Sequence, residues 1–138
     1  MAHYALLDEN NIVTQVITGK NEDEQRDGVD VDWEEWYKDF LGVAGCKRTS
    51  INTIQNVHTQ GKTPFRGNYA GIGMKYDSTN DVFVTAEPPF PGWVMDTDIW
   101  EYKSPIDKPA DFDSKPYYWD VDAYAADNTT GWVEIVPE

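Results

Sequence analysis

"GNYAGIGMKYDSTNDVFV" (residues 67–84) is the stretch on which the fold turns. Gly67, Gly71 and Gly73 fall within seven residues, and Tyr76 and Phe83 then flank an Asp-Ser-Thr-Asn-Asp cluster. A phosphate-binding loop needs its glycines between a strand and a helix, so that the free N–H groups of the helix start face the anion. Here the glycines lead instead into two-residue alternation ending in Val82-Phe83-Val84, and Lys75 sits in no phosphate-loop pattern. The segment reads as a β-hairpin. Its glycines allow positive φ, a bulge, or the close approach of another chain.

Outward from this stretch the same grammar repeats. "LLDENNIV", "MKYDSTNDVFV", "WVMDTDIWEY" and "YWDVDAYAADNTTGWVEIV" each set apolar or aromatic residues on both sides of an acidic turn, which makes four strand–turn–strand units. In the first, runs at Tyr4–Leu7 and Ile12–Ile17 are joined by Asp8-Glu9-Asn10-Asn11. Asp77, Asp96 and Asp120 sit where a carboxylate can bond its own backbone two residues on. Proline-rich joints, "AEPPFPG" and "KSPIDKPADFDSKP", separate the later units and cannot continue a central strand. "GKNEDEQRDGVD" reads as a mobile polar loop. After it the apolar period becomes helical, with Trp33, Trp36, Tyr37, Phe40 and Leu41 on one stripe, Asp32 and Glu35 placed to cap the start, and Gly42 to end it. That stripe is expected to dock on a sheet. The fold class is therefore mainly β, with successive antiparallel hairpins forming a small sheet or sandwich and one short amphipathic helix at about 32–41. Residues 1–138 form one β-rich domain, in which 91–138 is an extended or peripheral hairpin region.

Eleven basic residues against twenty-five acidic ones give a net charge of −14, which repels nucleic acid and anionic membranes at long range. Six Trp, eight Tyr and five Phe interleave with that charge and can supply a core, which argues against disorder. Cys46 is the single cysteine, so neither an intrachain disulfide nor a cysteine-based zinc site can form. The start, "MAHYALLDEN", lacks the charged and apolar regions of a signal peptide, and no apolar run approaches membrane-spanning length. The expected site of synthesis is the cytoplasm.

Little in the sequence points to catalysis. No nucleophile elbow, metalloprotease motif or deaminase signature is present, so no catalytic residue, metal or cofactor is assigned. His58 stands among Thr, Asn and Gln with no second ligand at metal-binding spacing. Asp96 and Asp98, and Asp120, Asp122 and Asp127, offer clustered oxygen ligands, but their spacing fails the calcium-loop pattern and suits turns better. Sugar binding is the strongest rival reading. Trp93, Trp100, Trp119 and Trp132 could stack on sugar rings with Asp96 and Asp120 accepting hydrogen bonds, or could equally be cross-strand pairs holding hairpins together.

"DENNIVTQVI", "WEEWYKDFLG…CKRTSINT", "PFRGNYAGIGMKYDSTNDVFVTAEPPFPGW" and a late Tyr-Trp-Asp occur in an order that resembles a family of small virion-associated proteins of tailed phages, chiefly marine phages including those of cyanobacteria. The resemblance covers nearly the whole chain, and "FRGNYAGIG" is its most specific part. It implies a structural component of the particle, on the head surface as a decoration or cement protein or on the tail, and it implies no catalytic set. The partners implied are other virion proteins, a major capsid or tail protein, or further copies of the chain. Arg66, Gly67, Asn68, Tyr69, Gly71 and Gly73 are then the candidate partner contact, docking as an extended segment beside an edge strand completed by a neighbour. The alternative is a carbohydrate-binding, host-recognition module on the tail. "AYAADN" between Trp119 and Trp132 is longer than the family's usual turn, which puts the pairing of the last hairpin in doubt.

Overall fold

A computed structural model of the chain describes residues 1–137. They divide into two compact units, one made of Met1–Glu87 with Asp96–Glu101 and the other of Pro88–Met95 with Tyr102 onward.

The first unit is organised around β1 (Ala2–Leu7), whose centre is buried from Tyr4 to Leu7. β2 (Val13–Gly19) pairs with it antiparallel, Ala5 facing Val16, and a register shift falls between Leu6 and Leu7. Their turn forms as the sequence suggests. The Asp8 carboxylate accepts from the N–H groups of Asn10 and Ile12 at 2.8 and 3.0 Å. The "GKNEDEQRDGVD" stretch is not a bare loop, because β3 (Gln25–Arg26) and β4 (Val29–Asp30) form a small hairpin in it. The reason is local. Asp27 and Gly28 both take positive φ, 54° and 78°, which is the geometry of a two-residue hairpin turn.

α1 (Trp33–Leu41) begins where the cap was expected, with Asp32 accepting from Glu35 N–H, and stops at Gly42 in the left-handed region with φ 67°. The Glu35 carboxylate lies 3.6 Å from Lys38 Nζ, an i,i+3 surface pair. β5 (Gly45–Thr49) then returns along the far side of β1, so the sheet order is β2-β1-β5. β6 (Thr53–Ile54) and β7 (Val57–His58), then β8 (Lys75–Asp77) and β9 (Val82–Val84), form two further antiparallel hairpins.

Because side chains alternate along a strand, β1 feeds two cores. Ala5 and Leu7 join Val13, Ala70, Tyr76 and Phe83 on one side, while Tyr4 and Leu6 join Trp33 and Cys46 on the other. The expected docking of the helix stripe holds for Trp33, Trp36 and Tyr37, which pack on the Tyr4 side. It fails for Phe40, which is 72% exposed, and for Leu41, which is exposed as well. The Phe40 ring stacks on Trp36 at 4.9 Å.

β10 (Val94–Asp96) and β11 (Glu101–Lys103) form another hairpin, whose tip, Asp96–Glu101, belongs to the first unit and whose remainder belongs to the second. In the second unit β12 (Tyr117–Trp119) pairs antiparallel with β13 (Trp132–Glu134), Trp119 facing Trp132. The long turn between them is a second helix that the sequence reading missed, α2 (Val121–Ala126). Asp120, expected to make an Asx turn, is its N-cap, accepting from Ala123 N–H at 3.0 Å. No helix among the described residues is long and apolar enough to cross a membrane.

Candidate docking site

Residues 66–69 lie inside the first unit and wire it together. Arg66 C=O accepts from Phe83 N–H at 3.0 Å on β9, and Gly67 C=O accepts from Asn56 N–H at 2.7 Å in the β6–β7 turn. Asn68, only 7% exposed, uses both ends of its amide. Its Oδ1 accepts from Gln55 N–H at 2.8 Å, and its Nδ2 donates to Phe83 C=O at 3.0 Å and Trp100 C=O at 2.9 Å. Tyr69 N–H donates to Thr53 C=O at 2.8 Å, and Ala70 N–H to Thr49 Oγ1 at 2.8 Å. Gly67, with φ 74°, has Trp100 against it so closely that a Cβ would meet the indole at 3.1 Å.

Of the expected contact, Arg66, Tyr69 and Gly71 are half-buried and Gly73 is exposed. Gly67 and Asn68 are buried and have no face to offer a neighbour. Gly71 N–H is turned toward Met74 Sδ at 3.1 Å, and Gly73 N–H donates to Val13 C=O at 2.8 Å, which closes the joint onto β2. Tyr69 is half-buried, its ring edge-on to His3 at 5.8 Å, and it lines an open surface.

That surface is a groove of about 470 Å³, lined by Ile51, Ile54, Tyr69, Met74, Trp100 and Glu101 together with small polar residues, within the roughly 300–1,000 Å³ usual for ligand sites. On its outer wall stands the β6–β7 hairpin. Ile54 and Val57 face each other across it, and Ile51, Ile54 and Val57 are 57%, 58% and 61% exposed. The turn residues Gln55 and Asn56 both take positive φ, 49° and 58°, and so do Arg66 at 52° and Trp100 at 54°. Four non-glycine residues in the left-handed region cost roughly 1 kcal/mol each, and they persist because the surrounding bonds over-determine them. Gln55 Nε2 donates to Glu101 Oε2 at 2.9 Å and Asn56 Nδ2 to Asp98 C=O at 3.2 Å, adding to the bonds from Gly67 and Asn68. An apolar hairpin is thus held rigidly in solvent. The signal was in the sequence: Ile54 and Val57 around a polar two-residue Gln-Asn turn mark a tight hairpin.

Arg66 has a different task, at the edge of the sheet. Arg48 on β5 directs its N–H and C=O away from β1, where another strand could pair. Glu34 Oε2 accepts from that N–H at 2.6 Å, Arg66 Nη1 donates to that C=O at 2.9 Å, and the two side chains close on each other at 2.7 Å. The pair occupies the bonds an incoming strand would make. Strand addition at the middle of β5 is closed off. Arg66 Nε also lies 2.8 Å from Asp81 Oδ1, and Asp81 accepts from Tyr76 OH in turn. Burial alone would lower the Arg66 pKa, but its bond to Glu34 and the charges of Glu34 and Asp81 raise it instead. Burial, with the bond to Asp81, pushes the Tyr76 phenol up to about 12.

The tryptophans of the sugar reading separate. Trp100 lines the groove, against Gly67. Trp119 is buried, and Trp93 and Trp132 meet it edge-on at 5.6 and 5.2 Å in the second unit. Trp132 also abuts Phe112 at 5.3 Å and donates from Nε1 to Ile106 C=O at 3.1 Å. These three pack on one another, Trp119 buried and Trp93 and Trp132 half-buried. Among the described residues no group of three or more His, Cys, Asp or Glu is placed to hold a metal ion. Asp96 Oδ1 accepts from Asp98 N–H and Asp127 Oδ1 from Thr129 N–H at 2.9 Å each, as turn residues do. Set against protein-family models, curated protein sequences and solved structures, the chain finds no match.

Proposed function

We propose that the protein is a non-enzymatic structural protein of a tailed-phage particle, attached to the head or tail surface by a protein–protein contact at the β6–β7 hairpin and its groove. One observation carries the reading: Ile54 and Val57, with Ile51 in the turn before them, are each more than half exposed on and beside a hairpin whose unfavourable backbone is fixed by bonds from two other segments. Exposed aliphatic groups held rigid suit a preformed interface, because little ordering entropy is lost on docking. The resemblance of "FRGNYAGIG" and its flanks to virion proteins supplies the setting. The carbohydrate-binding alternative has weaker support, since three of its four tryptophans pack on one another.

The test is location and retention. Particles carrying the wild-type protein should hold it in many regularly placed copies by quantitative mass spectrometry and cryo-electron microscopy, and a glycan array should give no specific signal. The variant Ile54→Ser/Val57→Ser should fold yet be lost from particles. Absence of the wild-type chain from particles, or a few copies at the tail tip with specific glycan binding, would overturn the proposal.

A further inference from the structure

Resting on the reading of the groove as a contact face, we infer that its occupant is an extended segment of a different protein, with aliphatic side chains flanked by lysine or arginine. The aliphatic requirement comes from the lining. Ile51, Ile54, Met74 and Trp100 form the walls, and Val57 extends the apolar surface around the hairpin beyond the groove itself. A small ligand seated in the groove would leave Val57 bare, whereas an extended segment covers both.

The basic requirement comes from charge. Glu101 is the one charged residue among those lining the groove, and neither Lys nor Arg lines it. Its Oε2 is taken by Gln55 Nε2, while no described residue donates to Oε1. Asp98 sits at the turn, its carbonyl held by Asn56. A guanidinium or ammonium arriving with the segment would meet Glu101 Oε1 at the groove and Asp98 at its rim, inside the field of a chain of net charge −14.

A second copy of the chain is a poor occupant on the same grounds. A symmetric dimer on this face would bring a second −14 charge and a second Glu101 against the first. Strand addition at the middle of β5 is already closed by Glu34 and Arg66. What remains is a partner of opposite charge whose side chains, rather than its backbone, make the contact.

The test uses the full chain, labelled for NMR, titrated with three synthetic peptides: alternating Lys and Ile, alternating Glu and Ile, and alternating Lys and Ser. The Lys–Ile peptide should shift the amides of residues 51–58, Tyr69 and the Trp100 indole, and bind at least tenfold more tightly than either control. Ile54→Ser/Val57→Ser should weaken it at least tenfold. Glu101→Gln should weaken it severalfold and reduce its sensitivity to added salt. Equal binding of the Lys–Ile and Glu–Ile peptides, shifts spread over the acidic surface, no binding of the Lys–Ile peptide, or dimerisation of the free protein that Ile54→Ser/Val57→Ser abolishes would each overturn the inference. Failure of the two ideas can be told apart. A charge-blind groove, with the double variant still lost from particles, refutes the basic partner alone, whereas retention of that variant on particles refutes the docking face itself.

Discussion

Ala5, Leu7, Val13, Ala70, Tyr76 and Phe83 make one side of the first unit's core, and directed hydrogen bonds from residues 66–69 fix how its hairpins meet it. Among the described residues the second unit has the short β12–β13 pair, the six-residue α2 and the base of the β10–β11 hairpin, and what binds its loops is a set of rings. Trp93, Trp119 and Trp132 touch edge-on, Phe112 abuts Trp132, and Tyr124 leans on Trp119 at 5.3 Å. The Trp93 and Trp119 indole N–H groups are buried with no hydrogen-bond partner among the described residues. Polar wiring specifies geometry, since a missed hydrogen bond is costly, while ring packing supplies area where few backbone bonds exist. The first unit should therefore fail by losing its register, and the second by losing volume.

Trp119→Ala is the largest perturbation expected. It removes the ring at the centre of the second unit's cluster and should cost roughly 4 kcal/mol, the range for large aromatic truncations. Hydrogen exchange in residues 102–137 should rise toward the unfolded rate. Gly131→Ala tests the same packing from the other side, because the new Cβ would come within 2.4 Å of the Trp119 ring. Wild-type protection in both variants would mean the rings are not what holds this unit.

Arg66→Ala attacks the wiring of the first unit. The Arg66 side chain is 13% exposed and that of Glu34 26%, so removing one partner leaves a poorly solvated charge and a bare carbonyl on Arg48, at roughly 3 kcal/mol. A double-mutant cycle with Glu34→Gln should show coupling, measured by denaturant titration. Arg66→Lys should recover part of the loss, since one ammonium cannot span Glu34, Arg48 and Asp81 together. With the β5 edge open, concentration-dependent association should also appear in light scattering. Full stability and a monomeric profile for Arg66→Ala would refute the edge-closing role.

The same contrast explains what could be read in advance. Hairpins whose turns are acidic and locally bonded, Asp8 and Asp77 among them, announce themselves, because turn and alternating strands lie within about ten residues. So does α1, whose cap, stripe and glycine stop are contiguous. The role of 66–69 was hidden, because Asn68 is read by Gln55, Phe83 and Trp100, which lie far from it in the chain. Gly67 takes the positive φ that the glycine-rich stretch allows, but what presses on it is Trp100, far along the same chain, rather than a neighbour. The groove was half legible: Tyr69 stood among the expected partner contacts and Trp100 among the expected sugar platforms, while Ile51, Ile54 and Val57 were assigned no role, with nothing local to say that they face water. α2 escaped because six residues carry too little periodicity to compete with the turn chemistry of Asp120 and Asp127.

Alkaline titration sharpens the comparison with a smaller effect. Burial raises the Tyr4 phenol to about 12, and Tyr76 reaches about 12 through burial and its bond to Asp81. A folded pKa above the unfolded value means stability that is complete below pH 10 and lost as pH rises toward 12, about 1 kcal/mol per phenol by pH 11. Tyr117 in the second unit is also raised to about 12, chiefly by donating to Asp111 at 2.6 Å, but it sits in contact with solvent. Loss of protection at high pH should therefore begin around Tyr4 and Tyr76. Burial also lifts the Cys46 thiol to about 12, so it should resist a thiol reagent at pH 8 until that unit opens. Prompt labelling of Cys46 in the folded protein, or alkaline opening that starts at Tyr117, would contradict this assignment.

The smallest effect separates the two ends of the helix stripe. Trp33 is buried and its Nε1 donates to Glu24 C=O at 2.9 Å, whereas Phe40 lies mostly in water. Phe40→Ser should change stability by less than about 0.5 kcal/mol, the range for exposed sites away from caps and cores. It should also leave binding of the Lys–Ile peptide unchanged, because Phe40 lines no part of the groove. Were the variant instead lost from particles while still binding that peptide, the stacked Trp36–Phe40 face would be a second contact. A stability loss as large as that of Trp33→Ala would place Phe40 in the core, against its exposure.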